Sequence, residues 1–285
     1  MRCALPLSVA LAAVACGDDG IAQIELALDS QGNSQTVALP GKARLTIHAT
    51  APGGLVDLEV DCNPPLDDPD TVGFHFTIDA PSLGLGGGLA RAGYVRVRTG
   101  APAGPITITL DASSGPASCS ARLTPAPTGC GQLTIFRSVN VDHAHVPTST
   151  VPSSWEPFPV SGDHYPTWAA WNTTYAAAIR TGYLVHDLEH GGVVFSYACA
   201  HPADSGACTQ AQADLAAARA SLPSPRTLDT PDPSQPMLYA VRTWRWGLLA
   251  DCYDAAEVAA FSSRHFRHGR EDVDEDPVPP FDPTQ

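Results

Sequence analysis

The chain has 285 residues, 44% of them hydrophobic, which is enough for a buried core in up to two modest domains and argues against wholesale disorder. Its formal net charge of -14 argues against nucleic acid as a partner, because phosphate binding needs a basic footprint.

The N-terminus reads as an export signal. Arg2 supplies the positive start, and "ALPLSVALAAVA" is an apolar stretch too short to span a membrane as a mature helix. Small residues lead to Cys16 and a polar linker follows, a pattern that resembles a bacterial lipoprotein signal. In that reading residues 1–20 hold the signal and acylation site, and a lipid on Cys16 anchors an exported protein in the periplasm or on the cell surface. Ordinary signal cleavage is the alternative. No later run is long enough for a transmembrane helix.

Residues 21–125 read as an all-β module. Seven short runs ("IAQIELALD", "ARLTIHAT", "LVDLEVDC", "GFHFTIDA", "YVRVRTG", "PITITLDA", "SCSARLTP") mostly alternate apolar with polar, between turn clusters rich in Gly, Pro and Asp. This spacing predicts an immunoglobulin-like β-sandwich. "LGLGGGLARAG" lacks the spacing and following helix of a phosphate loop and reads as a flexible hairpin connection. His48 and His75 sit inside strand patterns and read as ordinary strand residues.

"TPAPTGCG" marks a break, with a linker at 126–131. Residues 132–270 mix strand and helix patterns and predict an α+β domain. "LTIFRSVNV" and the apolar "VVFSYACA" read as strands, and "PMLYAVRTWRWGLLAD" as two strands or one bent strand. "CTQAQADLAAARASL" is a helix, and "YDAAEVAAFSSRHFRHG" a second, with Asp254 as N-cap and Gly269 ending it. The acidic, Pro-rich stretch at 271–285 is expected to be a disordered tail.

Once Cys3 and Cys16 are set aside, six cysteines remain, an even count that favours disulfides in an exported chain. Domain logic pairs Cys62 with Cys119, Cys199 with Cys208 and Cys130 with Cys252.

Eight of ten histidines lie in the second domain, five of them within 143–190. Clustered imidazoles are poor core material and good ligands for zinc and copper. In "YLVHDLEHGG", His186 and His190 are four apart and share a helix face, close enough to hold one metal ion. The string also matches His-x-x-Glu-His, in which a glutamate acts as base toward zinc-bound water, a metallohydrolase reading with Glu189 as the catalytic residue. Gly191, Gly192 and the valines behind them, however, limit the helix to a turn or two.

Read together, "DHAHVP", "PFPVSGDHYPTWAAW", "YLVHDLEHGGVVFSY", "TWRWG" and "YDAAEVAAF" resemble a bacterial family known as domain of unknown function 3105, over residues 132–268. The resemblance brings no settled activity. It implies that the motif histidines are His145, His164, His186 and His190, with Glu189 beside them. Turn residues around His164 would fix its ring, Asp163 or Glu189 would accept a second ring N–H, and Tyr165 would line the site. With one methionine past Met1 and oxidised cysteines, copper(I) handling is disfavoured, and His with carboxylate suits zinc or copper(II). Two other readings stay open. One is a metal-free module binding a cell-wall, sugar or protein partner through Trp155, Trp168, Trp171, Tyr165 and Tyr175. The other is a structural histidine network, with Glu189 capping a turn or paired with Arg180. The sequence leaves open whether any reaction occurs.

Overall fold

The computed structural model describes backbone and side chains at residues 54–61, 93–100, 119–127, 129–153, 155, 156, 158–223 and 225–271, and backbone alone in the remaining parts of the strands named below. The signal segment and Cys16, and the tail from residue 272, lie outside the described residues.

The fold is mostly β-sheet with few helices. Strands β1 (Ile21–Ala27), β3 (Arg44–Ala51), β8 (Gly104–Ala112), β5 (His75–Ala80) and β6 (Leu85–Ala92) form a five-stranded sheet in that order. The larger sheet has ten strands. From one edge it takes β11 (Thr173–Thr174), β13 (Thr227–Pro231), β12 (Val193–Tyr197), β14 (Tyr239–Thr243), β15 (Trp246–Ala250) and β10 (Leu133–Arg137). It continues through β7 (Tyr94–Ala101), β4 (Gly54–Cys62), β9 (Ala117–Pro125) and β2 (Asn33–Leu39). All seven alternating runs form strands. The glycine-rich stretch is also a strand, β6, antiparallel to β5 at the sheet edge, and not a flexible connection. Glycine is unfavourable in a strand but tolerated at an edge.

Antiparallel pairing of β10 with β7 carries the large sheet across the 126–131 segment. Side chains alternate between its two faces, as the period of a strand requires. Phe136, Val194, Ala240 and Leu249 join one core with Leu184, Val185 and Leu188 of helix α1 (Thr181–Glu189). Leu133, Ile135, Val193, Phe195, Val241 and Leu248 join the other core, against α2 (Gly206–Ala220) and α3 (Ala255–His265). The central strands are buried on both faces, so they read as apolar runs.

Helix α3 is capped by Asp254, whose side chain accepts from the Glu257 N–H, as expected, but it ends at His265, ahead of Gly269. Gly269 serves another purpose: a Cβ there would collide with the Glu189 carbonyl and the Gly191 backbone, so the chain after α3 passes close over the end of α1. Cys199 is bonded to Cys208 and Cys130 to Cys252, as paired from the sequence. Cys119 is also disulfide-bonded and faces Cys62 in strand register. Among the described residues no helix is long and apolar enough to cross a membrane.

Candidate metal centre

Helix α1 has no side-chain N-cap, and eight of its nine residues are buried. Packing and not propensity therefore holds it, as is usual for a helix this short. It stops because His190 leaves helical geometry and Gly191 turns at φ 79, a left-handed cap that only glycine adopts without cost. The Gly191 N–H donates to the Leu188 carbonyl and the Gly192 N–H to the Asp187 carbonyl.

This short helix presents His186 and Glu189, one turn apart, to two other segments. A parallel bridge joins His145 and His164: the His164 N–H donates to the Ala144 carbonyl and the Val146 N–H to the His164 carbonyl. Asp163 fixes the same contact by accepting from the Ala144 N–H. The rings of His145, His164 and His186 stand 4.6–5.0 Å apart. One ligand atom from each of these three histidines and from Glu189 lies within 4.8 Å of the others. His164, His186 and Glu189 are buried, and His145 is the exposed member.

Two backbone carbonyls set the chemistry. His164 Nδ1 lies 2.9 Å from the Gly162 carbonyl oxygen, and His186 Nδ1 lies 2.6 Å from that of Tyr165. A carbonyl only accepts, so each Nδ1 carries a proton, and in this tautomer a neutral ring turns its Nε2 lone pair to a ligand. Burial, with the neighbouring His164 and His190 rings, pushes the His186 pKa down to about 3, so that ring is neutral. The His164 Nε2 is 2.9 Å from Glu189 Oε2 but makes no hydrogen bond, and Glu189 Oε1 has no hydrogen-bond partner either.

His190 is placed differently. Its ring stacks on His186 at 4.6 Å and 24°, but its nitrogens fall in a neighbouring group with Glu189 and Glu271. The helical i, i+3 neighbour Glu189, and not the i, i+4 neighbour His190, thus joins the first cluster, because the helix has already ended at His190. Glu189 faces His164 and not Arg180, and the ring N–H acceptors are main-chain carbonyls where Asp163 or Glu189 was expected. Trp168 packs against both His186 (4.9 Å) and His190 (4.5 Å). Tyr165 and Trp171 are core residues, and Trp155, Trp168 and Tyr175 are half-buried. Glu271, expected in the solvated tail, is held by its N–H donating to the Glu189 carbonyl.

Residues 145–277 match a family model described as "Protein of unknown function (DUF3105)". The match covers the C-terminal part of this chain, where the sequence resemblance was drawn. His145, the exposed member of the cluster, is the first residue of the match, and Glu271 lies within it. No curated protein matches the chain. Among solved structures, a similar one is the Aeromonas hydrophila PliG, a periplasmic lysozyme inhibitor of g-type lysozyme. It is 12% identical with a TM-score of 0.23, covering 36% of this chain and 98% of that one. A likeness at that level carries no argument about fold or partner.

Proposed function

We propose that the DUF3105 domain binds a transition metal, zinc or copper(II), through His145, His164, His186 and Glu189. The observation that carries this reading is the pair of carbonyl-held Nδ1 atoms, which leaves two buried Nε2 lone pairs beside an incompletely paired carboxylate. Without a cation or a proton between them, a lone pair and a carboxylate oxygen 2.9 Å apart repel each other. Ligand atoms around a tetrahedral zinc stand about 3.3 Å apart, so a modest swing of the exposed His145 ring completes the set. In this reading Glu189 is a ligand and not the base of a metallopeptidase, and His190 supports the site from beside His186. The donor set, nitrogen and oxygen with no thiolate, suits zinc or copper(II) and disfavours copper(I).

The same reading places the domain outside the cytoplasm, where its disulfides persist. It is carried by an N-terminal sandwich over 21–125 and anchored through a lipid on Cys16, in the periplasm or on the surface, and a protein or cell-wall partner is reached from there. Plasma mass spectrometry on the purified chain after zinc loading tests the metal. Bound zinc that is lost in His164→Ala and His186→Ala supports the reading, and none in the wild type refutes it.

A further inference from the structure

The first cluster does not use everything at the end of α1. His190 is 4% exposed, and neither of its ring nitrogens has a hydrogen-bond partner. An imidazole leaves two polar atoms dry only at a cost of order 1–3 kcal/mol each unless something fills the place. One ligand atom from His190 lies within 4.8 Å of one from Glu189 and one from Glu271. The His190 Nδ1 to Glu271 Oε2 separation is 4.0 Å, too long for a hydrogen bond and open enough for an ion between them.

The backbone holds this second group together. The Glu271 N–H donates to the Glu189 carbonyl, the Arg267 N–H donates to the Gly191 carbonyl, and Arg226 Nη1 donates to the His190 carbonyl. The crossing at Gly269 brings the chain close enough for the Arg267 and Glu271 bonds. Glu189 belongs to both groups. Its Oε2 faces His164 while its Oε1 has no hydrogen-bond partner, so the two oxygens can serve two neighbours at once.

We infer that the domain holds a second divalent first-row cation, bound by His190 and Glu271 and sharing Glu189 as a bridging carboxylate with the first. This rests on the metal reading above and deepens it: the centre is dinuclear. Paired metals about 3.5–4 Å apart are the arrangement that clamps two oxygens of one ligand, so the class of molecule recognised is an oxyanion such as a phosphate or carboxylate. The first position is closed by three imidazoles. The second has a single imidazole and is the weaker binder.

Zinc titration of the full, metal-stripped chain by calorimetry, with bound metal counted after gel filtration, tests this. The expected result is two equivalents in the wild type, and one in both His190→Ala and Glu271→Gln. Glu271 is exposed, so Glu271→Gln keeps the fold even where His190→Ala does not, and circular dichroism of each variant checks this. In Glu189→Gln the second equivalent is lost and the first is weakened. One equivalent in the wild type, unchanged in Glu271→Gln, overturns the dinuclear centre and leaves the single site standing. Two equivalents that persist in both variants also overturn it. No bound zinc at all overturns the single site as well.

Discussion

His164 Nε2 sits 2.9 Å from Glu189 Oε2 in a buried place without a hydrogen bond between them. The two residues come from a loop and from the last turn of α1, brought together by the Tyr165 carbonyl that holds His186 and the Gly162 carbonyl that orients His164. The cluster is therefore assembled by backbone geometry.

Trp168 reports on the site. Its ring lies 4.5–4.9 Å from His190 and His186, within range for quenching by a paramagnetic ion. Copper(II) should quench part of the tryptophan emission of the wild type, and Trp168→Phe should lose most of that quenching while still binding the metal. Equal quenching in the two proteins would place copper elsewhere.

His265 makes stability depend on pH. Burial between Trp246 and Phe261, with Arg264 and His268 nearby, pushes its pKa from 6.5 down to about 3. The folded state favours the neutral ring, so in this window the unfolded chain binds the extra proton. The ring's contribution is whole above pH 6.5 and is lost as the pH falls toward 3, with a slope of at most about 1.4 kcal/mol per pH unit. His265→Phe should flatten the urea midpoint against pH across that window. An unchanged slope would show that His265 is not the group involved.

The two fully described disulfides close loops of very different length, with sequence separations of 9 and 122. Loop-closure entropy predicts a loss of about 2.6 kcal/mol for Cys199→Ala with Cys208→Ala and about 5 kcal/mol for Cys130→Ala with Cys252→Ala. Denaturant unfolding of the two double variants gives the comparison, and a larger loss from the short loop would contradict the entropic account.

Arg98 ties the large sheet to α3. Its side chain is fully buried and bonds Asp57 through Nε, Asp254 through Nη1 and Glu257 through Nη2. Arg98→Ala takes the guanidinium from Asp254 and leaves Asp57 and Glu257 to Arg96 alone, and should cost about 3 kcal/mol. Arg98→Lys should recover less than half of that, because an ammonium cannot reach three carboxylates in a fixed fork. Full recovery by lysine in a urea titration would reduce the fork to a point charge.

Much of this was legible in the sequence, and the failures have physical causes. Alternating runs announced seven strands, but β2 ("NSQTVAL") and β6 ("LGGGLARA") are polar or glycine-rich edge strands that give no such signal. β13 ("TLDTP") pairs in parallel with β12 and is buried on both faces, yet contains few apolar residues. Gly191 and Gly192 correctly announced a short α1. The same short helix is why His190 drops out of the first group while Glu189 enters it. Glu271 was hidden because an acidic, Pro-rich context reads as solvated, and only the crossing at Gly269 returns it to the site.

The most direct test of the central claim is the zinc content of the purified full chain beside His164→Ala and His186→Ala, each shown to be folded by circular dichroism. Zinc bound tightly in the wild type and lost in both variants, with a thermal midpoint that rises with zinc only in the wild type, is the predicted result. A wild-type chain that retains no zinc or copper and gains no stability from either would contradict it.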